Sequence, residues 1–172
     1  METRSVFVVA ASTVVLLSAC ASTPRGPSAK AELVARSGST VSGTVRFREV
    51  DGNLLVEAKV AGLTPGEHGF HVHEVGDCSA PDASSAKGHF NPGATTHGFY
   101  GNGEHHAGDL PNLLADARGE ALYSAEVTGL DMSGESGVSG RSVVIHADPD
   151  DYRSQPAGNS GNRIACGVIV EL

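Results

Sequence analysis

Six of the eight histidines, together with Asp109, fall in an order that can build two metal sites. His71 and His73 stand two apart in Gly69-Phe70-His71-Val72-His73, so on a strand their imidazoles share one face while Val72 points to the other. Such a pair is half a site for copper or zinc; alone it fits two solvated rings equally well. His89, His97, His106 and Asp109 follow in a turn-rich stretch at offsets of eight, nine and three. Three imidazole nitrogens and a carboxylate oxygen match a closed tetrahedral zinc site. Zinc there can organise a loop with little apolar content of its own, whereas the competing reading is a histidine-rich solvated loop. His146 ends the apolar run Ser142-Val143-Val144-Ile145-His146. In isolation it reads as a strand-end histidine satisfied by hydrogen bonding, but with His71 and His73 it can complete a second site. Four imidazoles, with His89 as the fourth, suit a redox-active copper. A deprotonated imidazole has two nitrogen donors, so one histidine can join two nearby metals.

The elements that must hold these residues read as strands. Val41, Val45 and Phe47 share a parity, as do Leu54, Val56, Ala58 and Val60, and Asp51-Gly52 between them is a hairpin turn. Gly62-Leu63-Thr64-Pro65-Gly66 makes another turn before the His71 segment. Ala121 to Val127, Ser142 to His146 and Ile164 to Val170 are further strand candidates. Asn112 to Arg118 is either a strand or a covering loop. The pattern favours a closed antiparallel barrel or a sandwich. Two long irregular stretches, Cys78 to Pro111 and Asp148 to Asn162, interrupt it and contain or flank most of the candidate ligands; connections of that length usually have a functional reason or are disordered.

The 172 residues suit one domain, and 22 glycines with only 5% aromatic residues suit a turn-rich β protein. A formal charge of −8 argues against nucleic acid or an acidic lipid surface as the main partner, and a small anionic substrate would need a local positive focus. At the N-terminus, Arg4 precedes the apolar run Val6 to Leu17, too short to span a bilayer and read as an export signal. Leu17-Ser18-Ala19-Cys20 resembles a bacterial lipoprotein processing motif, which implies a signal peptide over residues 1–19, lipid on Cys20 and a tether over residues 20–30 ahead of the domain at 31–172. A cut near Ala19 or Ala21, with Cys20 incidental, is the alternative. Cys78 and Cys166 are left as a pair in a compartment that permits disulfides, or as two buried thiols.

From Ala31 to Val170 the chain resembles the copper–zinc superoxide dismutase family. The resemblance rests on Gly69-Phe70-His71-Val72-His73-Glu74, Gly88-His89-Phe90-Asn91-Pro92, His97-Gly98, His106-Ala107-Gly108-Asp109-Leu110, His146, and Gly158-Asn159-Ser160-Gly161-Asn162-Arg163-Ile164-Ala165-Cys166-Gly167. It implies copper on His71, His73, His89 and His146, zinc on His89, His97, His106 and Asp109, and a Cys78–Cys166 disulfide. The implied fold is all-β, an eight-stranded antiparallel Greek-key barrel with long metal-binding and active-site loops. Asp150 resembles the family's carboxylate that joins the outward nitrogens of a copper and a zinc histidine, fixing ring orientation and tautomer. His68 resembles a structural histidine, while His105 matches no ligand.

The implied reaction converts two superoxide anions and two protons to dioxygen and hydrogen peroxide, with His89 shared between the metals and Arg163 attracting the anion. The Cys78-to-His89 spacing is longer than in the familiar eukaryotic form and the route from Asp150 to Arg163 is shorter, so the eukaryotic charged guidance loop does not transfer; Lys87 and Arg153 are further steering candidates. A zinc-stabilised structural module or a copper-binding protein on the same fold would be signalled by a missing copper ligand, and none is missing. The sequence implies a lipid anchor in a bacterial cell envelope with the domain outside the cytoplasm. It does not decide between a monomer and a homodimer.

Overall fold

Alternation along the chain produces the strands it implies. In β2 (Ser42–Val50) and β3 (Asn53–Ala61) the register runs from Ser42↔Ala61 to Val50↔Asn53. Asp51 and Gly52 close the hairpin at φ 51° and 82°, the left-handed conformation that this residue pair tolerates. Val45, Phe47, Leu54 and Val56 on one parity are fully buried, while Arg46, Glu57 and Lys59 on the other are exposed.

The structure, a computed structural model, describes residues 26–101 and 103–172. The signal peptide expected over 1–19 and the lipid site at Cys20 lie outside the described residues. Before the hairpin runs β1 (Ser28–Ala35); after it come β4 (Gly66–His68), β5 (Phe70–His73), β6 (Leu113–Ala115), β7 (Glu120–Val127), β8 (Ser142–His146) and β9 (Arg163–Glu171). Residues 28–30, read from the sequence as the end of a tether, belong to β1 and pair with β2, and Ala29 and Lys30 pair with β9 as well. The undecided stretch 112–118 contains β6.

The expected eight-stranded closed barrel is not what forms. Among the described residues seven strands make one open sheet in the order β5-β8-β9-β1-β2-β3-β7, and β4 pairs with β6 in a separate two-stranded sheet. The reason lies at β5. Its outer edge is occupied by the long loop: Phe90 N–H donates to Val72 O at 2.9 Å, Val72 N–H donates to Gly108 O at 2.9 Å, and His71 and His73 bridge to Asp109 and His89. The backbone groups that closure onto β7 would require are already used. Side chains span the gap instead, with the Phe70 and Tyr123 rings edge to face at 5.3 Å.

The interior of the sheet carries the main core, including Phe47, Leu54, Phe70, Leu110, Leu113 and Ile145. A smaller cluster of Ala83, Ala86, Val144 and Cys166 surrounds the Cys78–Cys166 disulfide, whose Cα atoms are 5.7 Å apart. This bond ties the start of the long loop to β9. A separation of 88 residues gives an idealised loop-closure contribution of roughly 4 to 5 kcal/mol.

Candidate metal centre

β5 and β8 supply three histidines from adjacent strands, His71 and His73 at 0% exposure and His146 at 4%. The loop across the edge of β5 brings His89, His97, His106 and Asp109 against them. His71, His73, His89 and His146 each offer a ligand atom within 4.8 Å of the others, and so do His89, His97, His106 and Asp109. The structure therefore collects the seven residues singled out by spacing into two groups, with His89 in both.

Atom by atom, the rings are held from behind. His71 Nε2 lies 2.7 Å from Asp150 Oδ2 and His97 Nε2 lies 2.9 Å from Asp150 Oδ1. His73 Nδ1 donates to Lys87 O at 3.0 Å, and His146 Nδ1 to Gly161 O at 3.3 Å. The opposite nitrogens, His71 Nδ1, His73 Nε2 and His146 Nε2, together with His89 Nε2, are buried without a hydrogen-bond partner among the described residues. Each unsatisfied buried polar group costs about 1–3 kcal/mol. Four of them converging on one point fit a soft or borderline cation that takes imidazole donors.

The second group is built around Asp109, itself fully buried. Its Oδ1 lies 2.7 Å from His89 Nδ1 and 3.3 Å from His106 Nδ1, and its Oδ2 lies 3.0 Å from His97 Nδ1. The backbone N–H groups of His106 and Gly98 donate to Oδ2 at 2.8 and 3.2 Å. Three Nδ1 atoms around one carboxylate form a donor set that zinc accepts.

Burial and the carboxylate–imidazole contacts compete in the electrostatics. It pushes His73 and His146 well below the ordinary imidazole range and His71 below it, although Asp150 pulls His71 back. His89 is pushed down to about 4 by burial and by the neighbouring His71, against the pull of Asp109. For His97 burial also opposes the charge, but the hydrogen bonds and charges of Asp109 and Asp150 outweigh it and raise the ring to about 9. Burial pushes Asp109 and Asp150 up, yet their histidine partners hold both below the usual carboxylate range. Neutral imidazoles facing one group and ionised carboxylates behind and within the other are protonation states that suit metal ligation, whereas the His97 ring has to give up its proton before it can serve as a ligand.

Arg163 begins β9 opposite His146 in the ladder, half-buried, with Nη1 donating to Ala83 O at 2.8 Å. Burial pulls its pKa below the ordinary guanidinium value while Asp82 pulls the other way. His68 contacts His146 O and Thr64 O, both at 2.8 Å, and His105 Nδ1 donates to His106 O; neither joins a group. Lys87 and Arg153 are exposed, and of the two only Lys87, through its backbone carbonyl, is hydrogen-bonded to a ring of either group, that of His73.

Several supports carry no sequence signature. Gln155 accepts from His97 N–H at 3.0 Å and donates to His97 O at 2.8 Å. Asn112 Oδ1 accepts from Asp150 N–H at 3.0 Å and its Nδ2 donates to Asp150 O at 3.1 Å, while Tyr152 hydroxyl accepts from Asn112 N–H at 2.8 Å. They are distant in sequence from what they hold and belong to no local pattern.

Residues 41–169 match the family described as copper/zinc superoxide dismutase (SODC). A "Superoxide dismutase [Cu-Zn]" of Deinococcus radiodurans is 42% identical over 168 residues, covering 91% of each chain. A "Superoxide dismutase [Cu-Zn] 2" of Aquifex aeolicus is 41% identical over 152 residues, covering 82% of this chain and 85% of that protein. Both relatives are bacterial. On the family match over most of its length and on these two relatives, the chain belongs to the copper/zinc superoxide dismutase family.

Proposed function

We propose that the protein dismutates superoxide, 2 O₂⁻ + 2 H⁺ → O₂ + H₂O₂, with copper on His71, His73, His89 and His146 and zinc on His89, His97, His106 and Asp109. The supporting observation is the convergence of four buried, unpartnered imidazole nitrogens, one of them on a ring whose other nitrogen lies in the second group. A bound copper would supply one-electron exchange with superoxide in both directions. The protein's own groups do the rest. Lys87 O, Gly161 O and Asp150 fix the tautomers of His73, His146 and His71, so the inward nitrogen of each is a free donor. His89 Nε2 can take a proton when it is not ligated and pass it on from there. Arg163 attracts and orients the anion from beside His146, where the chain's formal charge of −8 would otherwise repel it.

Zinc would tie the loop bearing His97, His106 and Asp109 to the β5 edge, a place where few apolar side chains are available to do so. The export reading belongs to the same proposal: a signal over 1–19, lipid on Cys20, and a domain held outside the cytoplasm of a bacterial cell. The disulfide supports an oxidising compartment. The test is to load the purified chain, locate both metals by anomalous scattering at their edges, and follow superoxide loss by pulse radiolysis. Neighbouring copper and zinc with rapid superoxide loss is the expected result; both metals without superoxide loss would reduce the protein to a metal-binding module.

A further inference from the structure

His89 is the one ring in both groups, and for that reason it lacks what orients four of the other five. His71, His73, His97 and His146 each spend one nitrogen on a carboxylate or carbonyl behind them. His89 directs Nδ1 at Asp109 in one group and Nε2 into the other, which leaves no nitrogen for an orienting partner. It also sits on a loop, outside the named strands. Its placement has to come from the backbone beside it and from the stacking of His71, 3.9 Å between centroids.

We infer that Arg141 is the positioning residue for His89, acting as a clamp on the two ligand-bearing segments; the inference rests on His89 being shared as proposed above. The guanidinium carbon lies 3.5 Å from the ring centroid of Phe90, the residue after His89. Nη1 donates at 2.9 Å to the carbonyl of Glu74, the residue after His73, and Nε donates at 2.6 Å to Gly137 O. Glu74 N–H in turn donates to the carbonyl of Gly88, the residue before His89, at 3.0 Å. One side chain thus holds both segments at the point where their histidines meet. Arg141 is itself fixed, since its carbonyl accepts from Ile169 N–H at 2.9 Å and the next residue, Ser142, pairs with His73 in the sheet. A planar guanidinium can stack on a ring and donate along its edge to two carbonyls at once; a lysine ammonium cannot do both.

The test uses the full chain loaded with copper(II) and with cobalt(II) in place of zinc. An imidazolate shared by two paramagnetic ions couples their spins, so the uncoupled copper resonance counts molecules whose bridge is open. Wild type should show little of it. Arg141→Lys and Phe90→Leu should each raise it by about threefold or more, the range to which the strength of a cation–π contact converts, at equal metal content and with the disulfide intact. Phe90→Tyr keeps the ring face and should restore the wild-type signal. The double variant Arg141→Lys with Phe90→Leu should be no worse than the worse single variant. Fully loaded single variants with wild-type coupling would overturn the role of Arg141, as would strict additivity in the double variant. Absence of coupling in wild type would instead strike the shared-histidine reading itself.

Discussion

Asp150→Asn should remove an anion from behind the metal centre while keeping its shape. Asp150 Oδ1 receives two donors, His97 Nε2 at 2.9 Å and Tyr152 N–H at 2.7 Å, and Oδ2 receives one, His71 Nε2 at 2.7 Å. Asparagine has a single acceptor oxygen, and two donors hold it on the Oδ1 side. Its NH₂ then faces His71 Nε2–H, donor against donor, in a place where both side chains have 0% exposure. An unsatisfied buried donor costs about 1–3 kcal/mol, and loss of the partner behind a ligating histidine typically costs ten- to hundredfold in metal affinity. Copper affinity should therefore fall by about ten- to hundredfold. His97 keeps its acceptor and loses only the full charge, so zinc affinity should fall by less than about tenfold. Competition titrations of each metal alone, with the other absent, measure both numbers. Equal losses at the two sites, or a larger loss for zinc, would refute this assignment of oxygens to rings.

Arg163→Ala should leave metal content intact and slow superoxide capture by roughly tenfold, Arg163→Glu should slow it further, and added salt should slow wild type more than the alanine variant; pulse radiolysis over a salt series with metal analysis decides this. Metal-free protein should lose stability as pH falls below about 6.5 and continue to lose it towards 4, because His71, His73, His89 and His146 are neutral when folded and take protons when unfolded. On the alkaline side the contribution of His97, fully present below about 6.5, should fade as pH rises through its folded value of about 9, and zinc should abolish that limb by replacing the proton. Thermal melts from pH 4 to 10, with and without zinc, test both signs. Cys166→Ser should cost roughly 2 to 5 kcal/mol in denaturant unfolding and, by loosening the loop whose Ala83 carbonyl holds Arg163, should also lower capture at full metal content.

The seven residues that the structure gathers into two groups were legible because residue type and order carry them: an imidazole pair on one strand, a spaced group on a loop and a histidine ending a strand needed no tertiary knowledge to be picked out. The hairpin β2–β3 was equally legible, since Asp51-Gly52 and period-two burial are local. Closure of the sheet was not. Whether β5 pairs with β7 depends on what else claims its edge, and the claimants, Gly88 to Phe90 and Gly108 to Asp109, lie up to 38 residues further along the chain and show no strand pattern. β1 escaped notice because its inward residues are Ala29, Ala31 and Leu33, and alanine gives a weak alternation against Lys30 and Glu32. Asn112 and Gln155 act through backbone groups of residues distant in sequence, and Arg141 reaches Phe90 and the Glu74 carbonyl across similar distances, contacts that leave no trace in residue type.

Two residues belong to both halves of the centre: His89 through its two nitrogens and Asp150 through its two oxygens. An ion that orders either residue alters the free energy of filling the other position, so the two occupancies are thermodynamically linked. Linkage is reciprocal. Whatever factor zinc contributes to the retention of copper, copper must return to zinc, and neither affinity is a constant of the protein unless the state of its neighbour is specified. A cell that supplies one metal scarcely and the other freely would thus set the loading of both.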